Sequence, residues 1–167
     1  LELIYQDTQT DPAIAARLVP DWDKARLYPG LAGDALDDAV FGDLVILSQS
    51  RYLANRMRAA GMPVYSWYFS YVAADRRSRQ PGAAHADDIA FVMGTLGAET
   101  DLARATPRDW EVSRLMTGYW VRFAQTGNPN GPGLPVWPAF EPGPAPVLEI
   151  GDEVTVRNAF LEDRMEY

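Results

Sequence analysis

The chain reads as an α/β protein, an incomplete sheet with flanking helices, on three observations. Val64-Tyr65-Ser66-Trp67-Tyr68-Phe69-Ser70-Tyr71-Val72 is aromatic and β-branched, with large side chains on both alternating faces. Such a strand is covered on both sides, as in the centre of an α/β sheet. Helical patterns lie before and after it, and two short β-prone runs follow near the C-terminus. Few other strand candidates precede it, so the expected sheet has at least one unpaired edge and an apolar face left for packing.

Residues 1–35 are polar and interrupted by Pro12, Pro20 and Pro29, which predicts short helices and turns. Asp11-Pro12 opens one of them, with Ile14, Leu18 and Val19 inward, and Gly30 and Gly33 break the chain. A long helix is predicted from Leu36 to Ala60, with Val40, Leu44, Leu47, Leu53 and Met57 on its buried face. Arg51, Arg56 and Arg58 lie towards its C-terminal end, where cations suit the dipole, and Gly61 and Pro63 stop it. Asp43 and Arg51 are either an internal ion pair or surface charges on this helix, and the second reading is preferred.

After the strand, the loop Ala73–Ala84 is polar and basic, with Arg76, Arg77 and Arg79. A short helix is expected from about Asp87, where Asp87 and Asp88 favour its positive N-terminal end. Asp87 is expected to be solvated. Thr106-Pro107-Arg108-Asp109 opens a further helix with a hydroxyl cap, a proline and an acid three residues on. Val112, Leu115, Met116, Tyr119, Trp120 and Phe123 recur at three- and four-residue intervals to Gly127, a stripe that belongs to a core. Asn128–Gly133 is turn-rich, Trp137 is an anchoring aromatic, and Trp67, Tyr68 and Trp120 are read as packing. Val147–Ile150 and Val154–Val156 form a hairpin about Gly151-Asp152, and Arg157–Tyr167 is expected to be a terminal helix.

The bulk numbers narrow the function. A length of 167 residues suits one domain, and 47% hydrophobic with 23% charged residues suits a packed chain. A net charge of −8 disfavours nucleic acid and anionic membrane surfaces, and no apolar run reaches bilayer length. With no cysteine and one histidine, disulfides and thiolate chemistry are excluded, a zinc site is disfavoured, and no cofactor is implied. The chain starts at Leu1 without a signal-like segment, as a processed chain or a piece of something longer would.

That one histidine is His85, in Gly82-Ala83-Ala84-His85-Ala86-Asp87-Asp88 just before Ile89-Ala90-Phe91-Val92-Met93-Gly94. Imidazole takes and returns a proton near neutral pH, so any such chemistry here falls to His85. A histidine without context is more often a surface or satisfied core residue. Its surroundings alter that balance.

Read as G-x-x-H-x-x-[DE]-I-x-F-V-[FM]-G, the segment resembles the histidine motif of the type B carboxylesterase and cholinesterase-like family. Tyr119-Trp120-Val121-Arg122-Phe123-Ala124-Gln125-Thr126-Gly127-Asn128-Pro129-Asn130, followed by Val136-Trp137-Pro138, resembles that family's W-x-x-F-A-x-T-G-x-P-N … W-P block. Val64–Phe69 resembles its V-Y-x-Y-x-F strand, and Gly42-Asp43 falls where the preceding helix carries a G/S-D pair. The four blocks keep their order over about residues 27 to 156.

The resemblance implies the C-terminal part of an α/β-hydrolase fold and a Ser–acid–His triad that cleaves small carboxylic esters. In that fold the nucleophile and acid precede the histidine in the chain. No G-x-S-x-G surrounds Ser48, Ser50, Ser66, Ser70, Ser78 or Ser113, and no Gly-Gly oxyanion segment or D-E-G-like acid loop is present. Residues 1–167 are therefore expected to be a single C-terminal segment whose partner is the nucleophile-bearing N-terminal portion of the same fold. His85 is the implied catalytic residue. Asp88 matches the acidic position three after the family histidine and is a candidate for supporting the loop, or a helix-start carboxylate. Phe91 is a candidate pocket wall. A non-catalytic, adhesion-type interaction module and an inactive truncated product are the alternative readings. The family is often secreted, but nothing in this chain assigns a compartment.

Overall fold

The structure is a computed structural model; it describes Lys24 and residues 26–97, 104–143 and 145–161. The helix expected at Asp11-Pro12, with Ile14, Leu18 and Val19, lies outside the described residues. The chain divides into two compact units, Leu1–Ala60 with Leu161–Tyr167, and Gly61–Phe160.

Among the described residues of the first unit, a continuous helical run covers Asp34–Ala59. Helix α1 (Asp34–Phe41) passes through a π-helical stretch (Gly42–Leu47) into α2 (Ser48–Ala59). Asp34 and Asp37 in the first turn, with Arg56 and Arg58 in the last, complement its dipole. Ser48 Oγ donates to the Leu44 carbonyl at 2.5 Å, a side-chain bond across the turn at the end of the widened π stretch. Leu27, Tyr28 and Val40 form its buried cluster, with Leu36, Ala39 and Leu44 packed around them.

Two expectations fail in this unit. Leu53 is 56% exposed, while Ala54 is buried. Ala54 lies seven residues after Leu47, two full turns, whereas the six-residue step to Leu53 leaves the buried stripe. Asp43 is not a surface charge: it is 5% exposed and accepts a 2.8 Å hydrogen bond from the Tyr28 hydroxyl. A donor inside the cluster lets a carboxylate stand on an inward position three residues after Val40.

The second unit holds the sheet. Strand β1 (Ser66–Phe69) runs parallel to β2 (Val147–Ile150), and β2 runs antiparallel to β3 (Val154–Arg157), in the order β1-β2-β3. Register places Trp67 opposite Leu148 and Leu148 opposite Val156. The regular strand is shorter than the Val64–Val72 expected. At one end the Val64 and Ser66 carbonyls accept from Phe140 N–H at 2.7 Å and the Trp137 indole at 2.9 Å. At the other, the N–H groups of Ser70 and Tyr71 both converge on the Ile150 carbonyl, at 3.0 and 3.2 Å. All four β1 residues are half-buried, and β1 is an edge of the sheet among the described residues. Arg157 belongs to β3 and residues 158–161 are bends and turns, so the expected terminal helix does not begin there; residues 162–167 lie outside the described part.

Helix α3 (Ile89–Val92) is a single turn, and α4 (Pro107–Thr126) is the long helix of this unit. The start of α4 is a full capping box: Thr106 accepts from Asp109 N–H at 3.3 Å, and Asp109 accepts from Thr106 N–H at 2.6 Å. Gly127 ends it in the left-handed region at φ 72°. Val112, Met116 and Tyr119 of α4 meet Tyr71, Phe91, Trp137, Leu148 and Ile150 in one core. Trp137 is buried edge-on against Tyr119 and exchanges both main-chain hydrogen bonds with the Asn130 amide. Trp67 packs on Trp120 at 4.8 Å and Tyr68 on Phe160 at 4.9 Å, as packing residues should.

Candidate active site

The segment that carries His85 leaves the C-terminal end of β1 and is pinned at its base by Asp109. This carboxylate is 1% exposed and every lone-pair direction is used. Oδ1 accepts from the Tyr71 hydroxyl at 2.8 Å and from Ala74 N–H at 3.2 Å. Oδ2 accepts from the Thr106 N–H and hydroxyl, each at 2.6 Å. Burial pushes the Asp109 carboxyl up, but the donors from Thr106, Tyr71 and Ala74 outweigh it and hold the group below the usual carboxylate range. Burial and then the Asp109 hydrogen bond push the Tyr71 phenol up to about 12. Arg77 lies over the Tyr71 ring at 5.3 Å, donates to the Val72 carbonyl at 3.0 Å and pairs with Asp152. Both members of that ion pair are well exposed, so the pair itself contributes little.

At its far end the loop closes on Asp87, which corrects the expectation that this residue is solvated. Its side chain is 16% exposed and forms an ion pair with Arg76 at 2.8 Å. It also accepts from the Gln80 amide and, at 2.8 Å, from Ala84 N–H. Asp87 N–H donates in turn to the Ala84 carbonyl at 3.2 Å. Ala84-His85-Ala86-Asp87 is thus a β-turn bridged by the main chain and clamped by a side chain. Ala86, at its third position, has φ 71°, the mark of a type II turn that ordinarily carries glycine there.

His85 occupies the second position of this turn. It is exposed, with no side-chain hydrogen-bond partner among the described residues. A solvent-open cleft of about 590 Å³ lies beside the turn, lined by Arg76, Arg79, Gln80 and Ala84. Asp88 stands at the N-cap of α3 and is half-buried, without a side-chain capping bond. Phe91 is 1% exposed and packs on Phe69 and Tyr71 at 5.3 and 5.6 Å. The turn therefore groups His85, Asp87 and Asp88, while Phe91 anchors the following helix in the core. Ser113 and Thr117 of α4 hold that single-turn helix by donating to the Phe91 and Val92 carbonyls at 2.8 and 3.0 Å. Two serine hydroxyls of this unit are committed to structure: Ser70 donates to Glu149 at 2.7 Å and Ser113 to the Phe91 carbonyl at 2.8 Å.

Sequence reasoning passed over Asp87 and Asp109 as parts of the site. The signal was present in both: an acid three residues after a position whose N–H needs an acceptor, as in Ala84…Asp87 and Thr106…Asp109.

Comparison with known proteins agrees with this architecture. A model of the carboxylesterase family matches residues 9–167. Carboxylesterase 5A of Felis catus is 32% identical over 134 residues, 77% of this chain and 24% of the relative. A medium-chain fatty acyl-CoA hydrolase precursor of Anas platyrhynchos is 38% identical over 138 residues, 80% of this chain and 24% of the relative. Among solved structures, a carboxylesterase of Geobacillus stearothermophilus superposes with a TM-score of 0.72 at 22% identity, over 94% of this chain and 36% of that one. The chain spans about a quarter of the length of these curated relatives. Structural neighbours are α/β-hydrolases, and the small mixed sheet with its flanking helices is a part of that fold. With a family model matched over nearly its whole length, the chain belongs to the carboxylesterase family.

Proposed function

We propose that this chain is the histidine-bearing part of a serine-type carboxylic ester hydrolase. The observation that carries the reading is His85 itself: the one histidine, within the family's motif, displayed to solvent on a braced turn beyond the end of β1. In the complete enzyme His85 takes the proton of a serine hydroxyl as the oxygen attacks the ester carbonyl. It returns that proton to the departing alcohol, leaving an acyl-enzyme. It then activates water to release the acid and free the serine. The serine, its acidic partner to the imidazole and the oxyanion donors come from the nucleophile-bearing portion that precedes this segment. Asp88 supports the turn from the N-cap position of α3, and Phe91 supplies apolar backing to the same helix. The substrate class is small carboxylic esters.

The test is hydrolysis of a short-chain aryl ester by the 167-residue chain alone and by the chain joined to a nucleophile-bearing portion from a homologous esterase. Alone, the chain is expected to give no turnover, because a base without nucleophile or oxyanion donors lacks most of the rate enhancement. Joined, it is expected to turn over. Serine-type hydrolysis by the isolated chain, abolished by His85→Ala, would overturn the division of the triad. An assembled protein that folds but never hydrolyses esters would favour the non-catalytic module.

A further inference from the structure

We propose that Asp87 is the positioning residue that holds the catalytic imidazole, acting through the turn and never touching substrate. The proposal deepens the reading of His85 as general base and rests on it. Four contacts converge on this one residue. Its carboxylate takes Ala84 N–H at 2.8 Å on Oδ2, and its own N–H closes the turn onto the Ala84 carbonyl at 3.2 Å. Oδ1 receives the Arg76 guanidinium at 2.8 Å, and Oδ2 also receives the Gln80 amide. Arg76 and Gln80 are themselves joined, Gln80 N–H donating to the Arg76 carbonyl at 2.9 Å. The Gln80 amide reaches onward to the Gly82 carbonyl at 2.8 Å. The loop from Arg76 to Ala84 is thereby tied to a single carboxylate two residues beyond His85.

The need for such a clamp follows from the turn. Ala86 holds φ 71°, a region that a side-chain-bearing residue leaves readily when other conformations are open to it. The main-chain turn bond alone, at 3.2 Å, is weak support against that tendency. The charged clamp adds hydrogen bonds of the stronger kind, and both members of the Arg76–Asp87 pair are largely shielded from solvent. Without it the turn relaxes and the imidazole leaves the line between nucleophile and leaving group. A displacement of about 1 Å at a reacting group costs on the order of 100-fold in rate.

The experiment compares Asp87→Ala, Asp87→Asn and His85→Ala in the complete enzyme, with kcat and KM for an aryl ester. Asp87→Ala is expected to lower kcat by about 10- to 100-fold with KM within about twofold. Asp87→Asn, which keeps an acceptor for Ala84 N–H and loses the charge, is expected to fall between it and wild type. Backbone relaxation of the 167-residue chain gives a second readout. In Asp87→Ala the order parameters at His85 and Ala86 should drop below about 0.6, while β2 stays near about 0.85. Should Asp87→Ala fail to fold, Asp87→Asn and Arg76→Gln carry the same comparison. A kcat within twofold of wild type in Asp87→Ala, with His85→Ala inactive, overturns the positioning role and leaves the base assignment standing. Equal loss through KM, or unchanged order parameters at the turn, also overturns it. An active His85→Ala removes both.

Discussion

Asp109→Ala separates a buried hub from an ordinary helix cap. Asp109 ties the start of α4 to the end of β1 and to the first residue of the loop that leads to His85. Truncation leaves the Tyr71 hydroxyl, fully buried, without its acceptor, at about 1–3 kcal/mol. Loss of the capping box adds about 1 kcal/mol. The Ala74 N–H belongs to an exposed residue and rehydrates at little cost. The expected destabilisation is therefore about 2–4 kcal/mol. Urea unfolding followed by tryptophan fluorescence reads it, because Trp67, Trp110, Trp120 and Trp137 all lie in the same unit. Tyr71→Phe leaves three donors on the carboxylate, and its cycle with Asp109→Ala should give a coupling of about 1.5 kcal/mol. There is also a pH signature. A carboxyl held below its usual range stabilises fully above about pH 4 and loses that contribution as pH falls through its folded-state value. Asp109→Asn should lack this acid limb. A loss under about 0.5 kcal/mol, strict additivity in the cycle, or an unchanged acid limb would refute the hub.

The remaining expectations concern the turn, the tyrosines and the Trp137 anchor. Ala86→Gly should stabilise the chain by about 1 kcal/mol in the same unfolding assay, because it relieves a left-handed backbone at φ 71°; destabilisation would contradict that backbone. Tyr71 and Tyr119, both pushed up to about 12 mainly by burial, should stay protonated in the folded chain above the ordinary phenol value of about 10. Their contribution to stability is full below pH 10 and is lost as pH rises towards about 12; phenolate absorbance that appears in one step near pH 10, without unfolding, would contradict their burial. Asn130→Asp places a carboxylate oxygen against the Trp137 carbonyl in place of an N–H donor, and should destabilise by about 1–3 kcal/mol above pH 5.

What the sequence made legible was local. Thr106, Pro107, Asp109 and Gly127 mark both ends of α4 because caps depend on one or two side chains. The inward stripe of that helix follows from its period alone. The length of β1 was not legible, because its ends are set by Trp137, Phe140 and Ile150, which lie about 70 to 80 residues away in the chain. Leu53 lies outside the buried stripe because a six-residue step leaves a stripe that seven residues preserve. Asp43 and Asp87 depart from the sequence expectation for a common reason. A carboxylate is normally at the surface, and only the fold reveals the Tyr28 hydroxyl or the Arg76 guanidinium that lets it go inside. The site divides likewise: the motif points to His85, while the brace around it depends on contacts that only the fold creates.

The proposed role of His85 is tested most sharply by kcat for ester hydrolysis in the proposed complete enzyme, with and without this imidazole. His85→Ala should lower kcat by roughly four to six orders of magnitude, with the folded state and its unfolding midpoint unchanged. A variant that still hydrolyses ester within about tenfold of wild type would contradict it.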